Sequence, residues 1–151
     1  MSTLKARLEA DLRHAMKSRD ELVTSTLRMA IAAVRTAEVA GKQARELSDD
    51  EVLGVLTKEA KKRREAATAF RDAGRIESAD KEMAEEEIIT RYLPAQLTDE
   101  EISAIVAEAL QAGGYTTPSQ MGPAMKAAQS AIAGRAEGGR VAAEVRRQLA
   151  A

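Results

Sequence analysis

Three groups of charged residues in this chain have the types and spacings that chemistry needs. The first is basic. Lys126, Arg135, Arg140 and Arg147 lie near the C-terminus, interleaved with Gly122, Gly134 and Gly138. Arg140 and Arg147 are seven residues apart, so a helix places them on one face. Glycines beside them let backbone N–H groups approach a ligand, and amides next to guanidinium groups suit phosphate. From Gly113 to Ala151 five cations, Arg146 included, stand against Glu137 and Glu144, a local charge of +3. The segment just before is acidic, with Asp99, Glu100, Glu101 and Glu108. The competing reading is a solvated face with ordinary capping glycines, since only Tyr115 offers a base-stacking platform.

The second group is Glu59 and Arg63, an i, i+4 pair that falls on the apolar face of a long helix. Charges on such a face need partners, and Glu38, at the edge of the preceding apolar stripe, is the expected third member. A structural ion network is favoured over a pocket. The third group is the acidic runs. Asp49-Asp50-Glu51 and Asp99-Glu100-Glu101 occupy first helical turns, where carboxylates complement the helix dipole. Glu85-Glu86-Glu87 wraps around a helix and reads as a solvated face.

Tests for catalysis are negative. His14 is the sole histidine and there is no cysteine, so thiolate chemistry, disulfides and a cysteine metal site are excluded. His14 has no evident catalytic partner. Neither a Walker-type phosphate loop nor a dinucleotide fingerprint is present. The sequence therefore predicts no catalytic residues, no cofactor and no metal.

The elements that position these groups are helices. Phe70, Tyr92 and Tyr115 are the whole aromatic complement, and Ala, Leu, Ile, Val and Met supply the apolar surface. That mix suits helices and fits a sheet poorly. Ser2 or Thr3 caps a first helix, with Leu4, Leu8, Leu12, Ala15 and Met16 along one face. Asp20 caps a second, which runs to about Ala40 before Gly41. Ser48 and Glu51 form a capping box, with Leu47 as a staple, for a third helix that runs to Ala73 and stops at Gly74. A fourth, from about Ile76, is expected to end at Leu93, since Pro94 biases Leu93 away from helical angles. Its apolar set is Ile76, Met83, Ile88, Ile89, Tyr92 and Leu93. Thr98 and Glu101 make the next capping box, for a helix to Ala112. Thr117-Pro118-Ser119-Gln120 is a third box. Gly122-Pro123 is expected to interrupt the following helix, and Gly138-Gly139 to precede the last, with Val141, Val145 and Leu149 inward.

The expected fold is all-α: an N-terminal bundle of about four helices over residues 1–93, and a small C-terminal three-helix domain over 94–151. Tyr92, Leu93 and Pro94 form the hinge between them. A unit as small as the second is marginal in stability alone. The chain opens on a capped polar helix and holds no apolar run of the ~20 residues that spanning a bilayer requires, so no secretory signal and no membrane are expected, and the location expected is cytoplasmic.

The order of signals resembles the GatB/YqeY family nearly end to end. The residues that carry it are Leu27-Arg28-Met29, Ser48-Asp49-Asp50-Glu51-Val52-Leu53, Lys58-Glu59, Arg63, Ala73-Gly74-Arg75, the run from Tyr92 to Ile102, Met121-Gly122, Met125-Lys126, and Gly134-Arg135-Ala136-Glu137-Gly138. Pro123 is a departure, at a place where a helix former is usual. The resemblance implies two helical domains, the second related to the tail of the B subunit of glutamine-dependent tRNA amidotransferase. In that complex the tail grips tRNA, while amide transfer and ATP chemistry reside elsewhere. It therefore implies a non-catalytic tRNA- or RNA-binding accessory protein, with the C-terminal cations and glycines as the contact. The alternatives are a protein-interaction adaptor, or an auxiliary subunit of an amidotransferase, a carbon–nitrogen ligase using glutamine.

Overall fold

A computed structural model describes residues 2–151 and contains seven α-helices and one short 3-10 turn among them. The helices are α1 (Thr3–Lys17), α2 (Glu21–Glu38), α3 (Asp49–Asp72), α4 (Ile76–Thr90), α5 (Asp99–Gly113), α6 (Met121–Ile132) and α7 (Gly138–Ala150). The 3-10 turn, Pro118–Gln120, leads directly into α6. No described residue lies in a strand. The chain divides into two compact units, Met1–Leu93 and Pro94–Ala151.

Each unit has its own apolar centre. In the first, Leu8 of α1, Leu27, Ala30, Ile31 and Val34 of α2, Val52, Leu56 and Ala60 of α3, and Ile88 and Ile89 of α4 are buried together. Leu47, just before the Ser48 cap, joins the same cluster as Val52 four positions into the motif, the arrangement of a hydrophobic staple. In the second, Ile102, Val106 and Leu110 of α5, Ala124, Ala128 and Ile132 of α6, and Val141, Val145 and Leu149 of α7 are buried around one another. Small residues on α6 take the place of bulk, so this centre is slight.

The helix starts follow the capping chemistry. Ser2, Asp20, Ser48 and Thr98 each accept a backbone N–H from the first turn they cap. The boxes at Ser48/Glu51 and Thr98/Glu101 are closed from both sides. At Thr117 only half the box forms. The Gln120 side chain accepts the N–H groups of Thr116 and Thr117, but the Gln120 N–H donates to the Thr117 carbonyl instead of its hydroxyl. Gly74 ends α3 at φ +77°, a conformation that a side chain disfavours.

Four boundaries differ from expectation. Helix α2 stops at Glu38, two residues early: Val39 and Ala40 donate to Thr36 and Ala37 in a tighter turn, and the Glu38 carbonyl accepts the Arg45 N–H from the following loop. Helix α4 stops at Thr90, and Tyr92 and Leu93 close a tighter turn by donating to Ile89 and Thr90. Pro94 therefore follows a helix that has already ended. Gly122 and Pro123 sit inside the first turn of α6 and do not interrupt it, because first-turn N–H groups need no intrahelical acceptor. Gly138 and Gly139 are likewise the first two residues of α7.

The two halves of the first unit are joined at an acidic clasp. Asp49 accepts the hydroxyls of Ser2 (2.5 Å) and Thr3 (2.6 Å) and the N–H of Leu4 (3.1 Å), tying the start of α1 to the start of α3. The Ser2 and Thr3 hydroxyls hold its carboxyl well below the usual range, at about 2. The Arg45 guanidinium and the Ser48 backbone hold Glu51 down at about 2 as well. Both carboxyls have folded values below their unfolded ones. Their contribution is therefore complete above the unfolded values and is lost as pH falls through the folded ones. The melting temperature is expected to fall as pH drops from about 4 to about 2, and the Asp49→Asn variant to show a shallower fall. Circular dichroism melts across that range check this; an equally steep fall in the variant would remove Asp49 from the account.

Candidate nucleic-acid interface

The buried ion network of the first unit decides which of its charges are spoken for. Arg63 of α3 is buried, with its side chain 8% exposed, and so is Glu85 of α4, at 6%. Arg63 donates through Nε to Glu85 at 3.2 Å and through one terminal nitrogen to Glu59 at 2.8 Å. The other terminal nitrogen lies 3.7 Å from the Met29 sulfur. Lys62 approaches Glu59 from outside at 3.3 Å. Glu59 and Arg63 are thus partners as expected from their spacing. Glu38 is not part of the network. It accepts the Lys5 ammonium at 2.8 Å and the Leu47 N–H at 3.4 Å. The Lys5 hydrogen bond holds its carboxyl below the usual range, against the opposing effect of burial. The third member is Glu85, which the sequence assigned to a solvated face.

The C-terminal cations are mostly committed within their own unit. Arg140 donates to the Asp99 carboxylate at 2.7 Å and to the Leu97 carbonyl at 3.1 Å. Arg147 is paired with Glu144, with Nε contacts of 3.1 Å, and reaches the Ser103 hydroxyl at 3.5 Å. The Arg147 hydrogen bond holds the Glu144 carboxyl down at about 2. Asp99 and Ser103 both lie on α5, so the Arg140/Arg147 side of α7 is turned toward the acidic helix. Arg135 folds back on α6 and donates to the carbonyls of Ile132 and Ala131, each at 2.9 Å. Two successive left-handed residues, Ala133 and Gly134, make that reversal possible. The Arg135 carbonyl in turn accepts the Leu97 N–H at 2.8 Å. Lys126 is exposed, as is Arg146, and neither has a carboxylate partner among the described residues. Gly122 and Gly138 are exposed in the first turns of α6 and α7, and no side chain caps the start of α7.

The residues expected to form a hinge divide between the units. Tyr92 and Leu93 pack against the core of the first. The Tyr92 hydroxyl donates to Asp11 of α1 at 2.5 Å, and the Arg7 guanidinium covers its ring at 4.7 Å. Partial burial and the Asp11 carboxylate push the Tyr92 hydroxyl well above its usual pKa. Tyr92 is an anchor, and the second unit opens at Pro94.

Among the described residues no group of three or more His, Cys, Asp or Glu side chains is placed to hold a metal ion. His14 is exposed. No described helix is long and apolar enough to cross a membrane.

Comparison with known proteins finds relatives of this chain. A family model described as "Yqey-like protein" matches residues 5–149. An uncharacterised protein of Schizosaccharomyces pombe is 36% identical over 92 residues, which span 60% of this chain and 72% of that protein.

Proposed function

The chain belongs to the YqeY-like protein family, and on that premise we propose that it is a non-catalytic accessory protein that binds tRNA or a similarly structured RNA. The observation that carries this reading is the uncommitted charge on the second unit. Among the described residues Lys126 and Arg146 are exposed without carboxylate partners, whereas Asp99 and Glu144 are neutralised by Arg140 and Arg147. Arg135, Arg140 and Arg147, with Gly122, Gly134 and Gly138, complete the proposed contact. Arg140 and Arg147 contribute by exchanging a carboxylate for a phosphate. The resemblance to the tRNA-gripping tail of the amidotransferase B subunit supports the choice of ligand.

Residues 94–151 as a whole carry five cations against six carboxylates, so attraction rests on segregated charge and binding is weak. Two to four phosphate contacts give a salt slope of roughly −1.5 to −3.5, a loss of about 8- to 130-fold in affinity between about 50 and 200 mM salt. Filter binding of tRNA at those two concentrations checks this. Salt-independent retention, or none at the lower concentration, overturns the reading.

One observation favours a second reading, a protein-interaction adaptor. A groove of about 720 Å³ lies between α2 and α3, floored by Ala33, Ala37, Ala40 and Val55, and such a floor suits a partner helix. The same titration separates the two readings, because a helix-docking groove gives no salt-dependent retention of tRNA.

A further inference from the structure

We infer that the groove between α1 and α2, on the first unit, is a second surface for the phosphate backbone of structured RNA. The ligand class rests on the reading above; the location comes from different residues in a different unit. The groove holds about 420 Å³. Leu12, Ile31 and Ala32 form its floor, and Arg13, Arg28 and Arg35 form its walls. Arg28 and Arg35 are seven residues apart on one face of α2, and Arg13 faces them from α1.

These three arginines are grouped in one groove without the close carboxylate that holds seven others. Arg45, Arg63, Arg64, Arg71, Arg91, Arg140 and Arg147 each sit on a carboxylate within 3.5 Å. Seven of the fifteen arginines are committed in this way. Arg13 and Arg28 are exposed and have no carboxylate partner among the described residues. The one polar neighbour of Arg28 is the Met16 sulfur at 3.9 Å. Arg35 lies 3.8 Å from Glu9, too far for a hydrogen bond, and feels the Glu38 carboxylate, itself held by Lys5, only through space. The other acid in that part of α1, Asp11, is taken by Tyr92 and Arg7. The groove therefore carries three guanidinium groups against one loosely placed carboxylate.

Guanidinium forks match phosphate oxygens two at a time. The apolar floor is small, since Ile31 is only 3% exposed and Leu12 and the Ala32 methyl supply the rest. A docking helix needs an apolar stripe to bury, whereas a phosphate backbone needs only the cations. The charge and the shallow floor together select a polyanion over an acidic helix.

The test uses the full chain carrying Arg13→Gln and Arg28→Gln, with tRNA as the probe. Both positions are exposed and glutamine is a good helix former, so the variant is expected to melt as the unaltered protein does. Loss of two phosphate contacts is expected to weaken binding about tenfold at low salt and to make the salt slope shallower by about 1.5. The Arg13→Lys, Arg28→Lys variant keeps the charge and is expected to restore most of the slope. Unchanged affinity and slope in the glutamine variant, with tRNA bound by the unaltered protein, overturns the groove and leaves the RNA reading standing. No tRNA binding by the unaltered protein overturns both. A third arm follows the Arg Nε–H resonances of Arg13 and Arg28. Shifts on adding a short RNA duplex support the proposal; shifts with poly-glutamate and none with RNA overturn it in favour of an acidic protein.

Discussion

Replacing Arg63 with alanine is expected to cost the first unit about 3–5 kcal/mol and to lower its melting temperature by roughly ten degrees or more. The arginine and Glu85 are both nearly sealed from water. Removing the guanidinium leaves the Glu85 carboxylate buried without its cation and deprives Glu59 of its closest partner. An unpaired buried charge costs far more than the pair contributes. The companion variant carries Arg63→Met and Glu85→Met together. It removes both charges while filling similar volume, and is expected to recover most of the loss. Thermal denaturation of the two variants side by side checks this. Equal destabilisation by both would show that packing, not stranded charge, sets the cost.

The second large effect is expected at Ile132→Ala. Ile132 is fully buried where α5, α6 and α7 meet. Truncation of a buried isoleucine to alanine costs about 2–5 kcal/mol. A unit of this size has a total stability of only about 3–5 kcal/mol from its core. The loss therefore matches the whole margin, and the second unit is expected to be largely unfolded at room temperature. Since the first unit has its own core, its amide resonances are expected to keep their dispersion while those of residues 94–151 collapse. Retained dispersion throughout would mean that the small residues of α6 close over the gap. Their scarcity of bulk argues against that: Ala124 and Ala128 carry only a methyl group, with no rotamer that reaches into the gap.

Much of the fold is legible in the sequence because the punctuation is local. The Ser48 and Thr98 boxes, the Asp20 cap and the Gly74 stop each act through groups within four residues of one another. What failed depends on partners far along the chain. Glu85 was read as solvated because its own helix gives it an unremarkable place; only α3 supplies the cation. The signal was nonetheless present. α3 and α4 form an antiparallel hairpin about Gly74, and reflection about that glycine places position 85 opposite 63. The neighbouring pair, Arg64 with Glu86 at 2.9 Å, lies two positions off that reflection and also joins α3 to α4. Ile76 and Met83 were assigned inward by period yet are about half exposed, because α4 meets its neighbours through Ala79, Ile88 and Ile89. Glu38 went astray for a similar reason: Lys5, its partner, lies 33 residues back on α1. The positions of Arg140 and Arg147 on one face follow from spacing alone. That this face meets the acidic helix does not, since spacing along α7 says nothing of what α5 presents to it.

The same fold carries its own optical reporters. There is no tryptophan, and the two tyrosines are divided one to each unit, Tyr92 in the first and Tyr115 in the second. Tyr92 donates its hydroxyl proton to the Asp11 carboxylate, an acceptor into which an excited phenol loses its proton, so its emission is expected to be quenched while α1 stays docked. The Tyr115 ring lies directly over Gly113, so close that a side chain there would strike it, and has no such acceptor among its hydrogen bonds. Unmodified protein thus emits from its small unit when folded and gains a second emitter when its larger unit opens.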